Sequence, residues 1–520
     1  MVDLVIKGGR IVDGTGGAAY TGDVGVSDGR VVEVGVIGGG AERRIDAEGL
    51  VVAPGFIDSH SHSDLMLLTE PEARQKIMQG ITTEIVGQDG LGEAPIREED
   101  VENWRGYLSG LNGDPDVDWS WRSLGDYLDA IEEAGPATNV ASLVGHGNLR
   151  LAAMGMEDRP PTDTELGVMM SLLRDSLRQG AYGLSTGMIY PPCVYAATEE
   201  LTELCRVVAE TDGVFVIHMR DEGDGLIESI MEVVTIGTDS GVKLHISHFK
   251  SAGKRNWGRA TQALEAIEEA RGRGLSITVD QYPYTAGSTF LSARLPNWMH
   301  EGGVDAILSR LRDPKARGRA QAEMTGDQSE STFGEILVTS VASDGNKHLE
   351  GRSLSEIAVM RGVNPIEALF DLVLEERNAV GMVSFSMSED DVRTIMRSPI
   401  QMFCTDGIVL GKPHPRAYGS FPRVLGRYVR DGVLPLEEAV RKMTSLPAER
   451  FGLHGRGVIQ RGAHADLTIF NPETVIDTST YEDPISFPKG IEYVIVNGRL
   501  TVDRGVHTGE RAGMVLRSGL

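Results

Sequence analysis

The chain has 520 residues, of which 41% are hydrophobic and 24% charged, the balance of a soluble globular protein. Its net charge of -26 argues against nucleic acid or an anionic membrane as a partner, and an anionic small substrate would need local basic residues to override that field. Cys193, Cys205 and Cys404 show no framework spacing, the start "MVDLVIKGGRIVDG" has no signal-peptide pattern, and no apolar run nears the roughly 20 residues that span a bilayer, so a cytoplasmic protein is expected.

The first 50 residues alternate β-rich pieces with glycine turns, as in "DLVIKGGRIVDG" and "GDVGVSDGRVVEVG", the pattern of an antiparallel sheet. From residue 55 to 453 strand-like runs alternate with amphipathic helices, as the βα units of a parallel (β/α)8 TIM-type barrel would. Eight strand candidates stand out: "GFIDSHSH", "TTEIVGQDG", "TNVASLVGHG", "AYGLSTGMIY", "VFVIHMRDE", "VKLHISHFK", "LSITVDQYPY" and "IQMFCTDG". Residues 288–350 form a long insertion with its own helix, "GVDAILSRLRDPKARGRAQAEM", expected over the barrel mouth. Residues 454–520 return to sheet, so an α/β fold is expected in which 1–54 and 454–520 together make a small β-sandwich domain beside the barrel.

Each strand candidate closes on polar residues: His60 and His62, Asp89, His146, His218, His248, Tyr282 and Asp406. In a barrel all strand C-terminal ends meet at one face, which turns this scattered set into one cluster. His60 and His62, two apart in an extended strand, share a face and aim at one point. A single histidine is usually structural, but imidazoles and a carboxylate gathered from five strand ends suit zinc or a similar divalent ion.

The stretches "GFIDSHSHSD", "GAYGLSTGMIYPP", "IHMRDEG", "ISHFK", "DQYPYTAGST", "HPRAYGSFPRVLGRYVR" and "TSLPAERFGLHGRGVIQRGAHADLTIFNP" resemble the amidohydrolase superfamily, and within it the N-acyl-D-amino acid deacylases (D-aminoacylases). The resemblance runs from near residue 55 to near residue 500. It implies a zinc enzyme with one or two ions that splits the amide of an N-acyl-D-amino acid; the D preference rests on the resemblance alone.

By the same resemblance His218 and His248 match the tightly held zinc position, and His60 and His62 the weaker second one. The family often carries a shared cysteine on strand two, where this chain reads "VGQDGLG" and offers Asp89, a harder ligand than a thiolate. Asp-Gly is also a common turn pair, and Glu84 is the alternative on that strand. No lysine closes strand three or four, unlike the cyclic-amide branch, and His146 is expected to be structural. Asp406 is the expected general base and acid: it would take a proton from water activated by the metal and return it to the leaving amine. Lys250, Tyr282, Ser288 and Arg416 match the residues that hold the substrate's α-carboxylate, donors of the kind a carboxylate accepts from. Arg220 is expected to pair with Asp221 or Glu222 or to sit at the mouth, and Cys404 to be core. A peptidase- or deaminase-like amidohydrolase and a non-catalytic scaffold are the alternatives, and the oligomeric state stays open.

Overall fold

The computed structural model describes residues 2–327 and 330–519; residues 328 and 329, inside the expected insertion, lie outside the described residues. Eight parallel strands carry the middle of the chain: Phe56–Asp58, Ile81–Val86, Asn139–Ser142 continued by Val144–Gly145, Gly183–Gly187, Val214–His218, Lys243–Ile246, Ile277–Gln281 and Gln401–Phe403. Each lies within one of the stretches named above, except that the second starts one residue earlier, at Ile81. They are short and mostly apolar, and every residue but Lys243 is buried, which is what a parallel sheet covered by helices selects. Helices fill the connections; Asp163–Arg178, for example, opens with a capping box in which Thr162 and Glu165 satisfy each other's backbone amides.

The strands form two ladders, one of the first three and one from Val144–Gly145 through Gln401–Phe403. At one junction Leu143 N donates to Val86 O (3.0 Å) and Tyr182 N to Ser142 O (2.9 Å). At the other, Asp406 N donates to His60 O (2.9 Å), and Ser59 Oγ donates to Phe403 O (3.2 Å). The second seam also holds a buried ion pair: Lys76 Nζ lies 2.6 Å from Asp58 Oδ2 and 2.8 Å from Thr405 Oγ1, while Thr405 N donates to Asp58 Oδ1 at 2.8 Å. The first and eighth strands are thus pinned together directly beneath His60 and Asp406.

Both ends of the chain enter one nine-stranded sheet, which includes Val2–Ile11, Val51–Pro54, Leu467–Phe470 and Ile491–Val496. One set of its side chains, including Ile6, Val24, Ile45, Leu467 and Ile495, makes a core of its own. Val51, Ala53, Phe470 and Val494 pack instead with the barrel's Phe56, Ile81 and Phe421. The purely antiparallel reading of the first 50 residues is corrected: Val2–Ile11 pairs parallel with Ala41–Asp46 and Val51–Pro54. The glycine-rich "GVIGGG" carries the chain back across the hairpin instead of into another tight turn.

Between the seventh and eighth barrel strands the chain builds a three-stranded antiparallel sheet, Gly287–Phe290, Val380–Ser384 and Ile336–Val341, flanked by helices. The single helix expected from residue 303 is two, Val304–Arg312 and Pro314–Asp327. Pro314 cannot donate to the preceding turn and drives Asp313 into extended backbone (φ -82°, ψ 116°). Among the described residues no helix is long and apolar enough to cross a membrane.

Because Lys76 and Asp58 are 1% and 0% exposed, removing one partner leaves a buried charge unpaired. Lys76→Met is expected to destabilise the protein by about 3–5 kcal/mol, read as a lowered urea midpoint at constant slope. A midpoint equal to that of the unmodified protein would contradict the role of this pair at the seam.

Candidate metal centre

The first strand ends at Asp58, so His60 and His62 do not sit in regular strand as their spacing suggested; they follow it in irregular backbone. They still converge, with their Nε2 atoms 3.3 Å apart, because Ser61 N donates to Ile85 O and Asp406 N to His60 O, holding the segment between both neighbouring strands. Asp89 completes the set from strand two: its Oδ2 lies 3.6 Å from both His60 Nε2 and His62 Nε2. Its other oxygen, Oδ1, lies 3.7 Å from His248 Nε2, which in turn is 2.8 Å from His218 Nδ1. Asp406 Oδ1 lies 3.2 Å from His62 Nε2 and 3.7 Å from His60 Nε2. Three overlapping groups therefore offer convergent ligand atoms: His60, His62 and Asp89; Asp89, His218 and His248; His60, His248 and Asp406.

Backbone conformation aims these groups. Asp89 (φ 56°), His248 (φ 32°) and Asp406 (φ 48°) are non-glycine residues in the left-handed region, a cost of order 1–3 kcal/mol each that the surrounding structure must sustain. Gly87 makes the turn before Asp89 feasible: at φ 74°, a Cβ there would stand 2.4 Å from Leu143 O.

The electrostatics suit a cation. Burial, the largest influence on Asp89, would raise its pKa, but His60, His248 and His62 hold it well below the usual carboxylate range. Burial acts likewise on Asp406 and is outweighed by Arg416, whose Nη1 lies 2.8 Å from Asp406 Oδ2, so the carboxylate stays ionised. Asp89 Oδ1 is buried with no hydrogen-bond partner among the described residues, and a bound cation would satisfy it. With imidazole nitrogens and carboxylate oxygens around it, the donor set fits zinc.

A cavity of about 660 Å³ opens over the cluster, lined by His62, Asp89, His218, His248, Lys250, Tyr282, Ser288, Asp406 and Arg416. His60 lies beneath it, fully buried. The expected anion-binding side chains are thus present but engaged. Lys250 Nζ is 2.5 Å from Glu222 Oε1 and 2.8 Å from His248 Nδ1. Arg416 stacks 4.3 Å over the Tyr282 ring, and its Nη2 donates to the backbone oxygen of Ser288 (3.0 Å). The expected insertion contributes to the cavity wall through Thr332 and Glu335, and strand Val380–Ser384, beyond its expected end, through Met382.

Glu84 stays out of the cluster, accepting from Ser61 Oγ (2.8 Å) and Thr138 Oγ1 (2.6 Å). His146 is structural, bonded to Glu200 (2.8 Å) and Thr186 (2.9 Å), and Cys404 is fully buried. Arg220 lines the cavity but pairs with Glu232 (2.9 Å), not with Asp221 or Glu222; helix Leu226–Ser240 brings Glu232 back to the strand end. Two contributors were missed. Glu222 contacts Lys250 and lies 3.2 Å from His248 Nδ1, orienting that ring. Asp280 receives His248 N (2.5 Å), Ser59 Oγ (3.0 Å) and His245 Nε2 (2.9 Å), and so fixes the strained backbone of His248. The signal for Asp280 was a lone charge inside the apolar run "ITVDQ"; for Glu222 it was a carboxylate four residues after His218.

The model of the amidohydrolase family matches residues 43–502. A D-aminoacylase of Alcaligenes xylosoxydans xylosoxydans is 38% identical over 517 residues, covering 99% of this chain and 97% of the relative. An N-acyl-D-glutamate deacylase of the same organism is 37% identical, covering 99% and 96%. Among solved structures, N-acyl-D-glutamate deacylase from Bordetella bronchiseptica, complexed with zinc and a phosphonate mimic of the tetrahedral intermediate, superposes with a TM-score of 0.87 at 37% identity over 99% of this chain and 100% of that one. Fold, convergent ligand set and near full-length similarity agree: the chain belongs to the amidohydrolase family, in its N-acyl-D-amino acid deacylase branch.

Proposed function

We propose that the protein hydrolyses the amide bond of N-acyl-D-amino acids, releasing a carboxylic acid and a free D-amino acid. The observation that carries this is the convergence of Asp89, four histidines and an ionised Asp406 beneath a cavity that also holds Lys250, Tyr282, Ser288 and Arg416. The D configuration and the N-acyl amino acid class come from the relatives named above.

Zinc bound by His60, His62, Asp89, His218 and His248 would polarise the amide carbonyl and ease deprotonation of water. Asp406 is the proton carrier: ionised at neutral pH and open to the cavity, it takes a proton from water and returns it to the departing nitrogen. Arg416 touches Asp406 and the Ser288 backbone, so it links the base to the end of the cavity assigned to the α-carboxylate. Tyr282 shapes that end under Arg416, and Ser288 and Lys250 supply further donors. Glu222 orients the ligand ring of His248 at Nδ1, and Asp280 holds its backbone amide. The three cysteines are free and buried, which accords with the reducing cytoplasm as its location.

Two outcomes are expected. In zinc-loaded protein, Asp406→Asn should abolish release of D-amino acid from N-acetyl-D-amino acids, a loss of roughly 10²–10⁴-fold or more, with zinc content retained. Equal hydrolysis of the L enantiomers, or an active Asp406→Asn, would sink the assignment.

The second concerns loading. Burial lowers the pKa of His62, but Asp406 and Asp89 outweigh it and push the ring up to about 9. Metal-free protein at pH 7 therefore carries a proton that a cation must displace, since imidazole binds metal only when neutral. Zinc affinity at the His60–His62 position should tighten by up to about tenfold per pH unit from pH 7 towards 9, then level off. Calorimetry in buffers of different ionisation enthalpy reads the released proton; pH-independent binding without release would contradict it.

A further inference from the structure

The stretch "HPRAYGSFPRVLGRYVR" carries a histidine ahead of Arg416 that none of the roles above uses. His414 is fully buried, and its ring lies edge-on to those of Tyr284 (5.2 Å) and Tyr481 (5.1 Å). Both ring nitrogens are engaged. Nδ1 accepts from the backbone N of Arg416 (2.9 Å), and Nε2 donates to the backbone oxygen of Ala286 (2.9 Å), with the Tyr481 hydroxyl 3.2 Å away. An amide N–H only donates and a carbonyl oxygen only accepts, so the ring is the neutral tautomer with its proton on Nε2. Burial, reinforced by the Arg416 charge, holds its pKa well below the usual histidine value, in keeping with that tautomer.

The two contacts join two walls of the cavity. Arg416 opens the helix Arg416–Arg423, and Pro415 before it has no N–H, so the first amide of that helix is the one His414 holds. Ala286 leads into strand Gly287–Phe290 and lies two residues before Ser288, whose backbone oxygen receives Arg416 Nη2 (3.0 Å). One ring thus grips both the backbone of the arginine and the backbone of the segment that this arginine reaches. The guanidinium itself is fully buried, 4.3 Å over the Tyr282 ring and between Asp406 and Ser288, so its aim depends on where its backbone starts. A ring of the same size without nitrogens would fill the space but leave two buried backbone groups unpaired. We propose that His414 is a positioning residue for recognition of the substrate's α-carboxylate: held in one tautomer, it fixes Arg416 against the segment that carries Ser288. This rests on the deacylase reading above, which assigns that end of the cavity to the α-carboxylate.

The test measures acetate release by zinc-loaded protein from the N-acetyl-D-amino acid it cleaves fastest and from the same compound with an α-carboxamide in place of the α-carboxylate. The ratio of the two kcat/KM values isolates the carboxylate contact, because a general loosening of the site lowers both. His414→Phe keeps a ring and removes both hydrogen bonds; it should lower the acid-to-carboxamide ratio by about tenfold or more, with the larger part of the change in KM for the acid. In His414→Asn the side-chain oxygen can stand in for Nδ1 as the acceptor for Arg416 N, and part of the ratio should return. Thermal melting and zinc content of each variant report whether it is folded and loaded. In folded, loaded His414→Phe, a ratio unmoved, or both substrates slowed by the same factor, would reduce His414 to a packing residue and overturn the proposal. A His414→Asn protein no better than His414→Phe would overturn it as well, since the contact to Arg416 would then not be the one that matters. Each of these leaves the deacylase reading intact. No acetate released by the unmodified protein from any N-acetyl-D-amino acid would overturn both.

Discussion

Asp89 holds its two carboxylate oxygens between two sets of imidazoles, with Oδ2 towards His60 and His62 and Oδ1 towards His248. The rest of the site is arranged around that bidirectional contact. A buried carboxylate among four histidines is stable only if the positive charge is close and directed, because the interior solvates neither partner. The geometry accordingly appears at a cost: positive φ at Asp89, His248 and Asp406, and a glycine at Gly87 where no other residue fits. Those strains persist because the strands beneath are clamped, by Asp280 under His248 and by Lys76, Asp58 and Thr405 under His60 and Asp406.

Charge is rationed in the same way across the cavity. A chain of net charge -26 repels anionic substrates at long range, so attraction has to be built locally. Most cations near the mouth are neutralised by partners and contribute shape and position more than field. Arg416 is the pivotal one: it contacts both Asp406 and the Ser288 backbone, so under the proposed roles it would couple the base to the α-carboxylate end of the cavity. Stability and function therefore draw on the same buried pairs.

All eight barrel strands were legible, because parallel strands buried on both faces leave apolar runs and their polar C-terminal residues break the pattern abruptly. That punctuation also exposed His60, His62, Asp89, His218, His248 and Asp406. Glu222 and Asp280 escaped because their importance is a matter of contact: Glu222 follows two other polar residues in "HMRDEG", and Asp280 differs from a core residue only through the groups that bond to it. The direction of pairing around Val2–Ile11 was hidden because strand composition does not encode which neighbour a crossover selects. The split at Pro314, by contrast, was readable from a single residue and its effect on backbone geometry.

The most direct test of the shared carboxylate is anomalous diffraction at the zinc edge from crystals of zinc-loaded protein. A peak bonded to Asp89 together with His218 and His248, with any second peak bonded to the other Asp89 oxygen and to His60 and His62, is the expected result. Zinc bound by the histidines with Asp89 turned away, or bound elsewhere on the chain, would contradict the assignment of Asp89 as the ligand on which the centre is built.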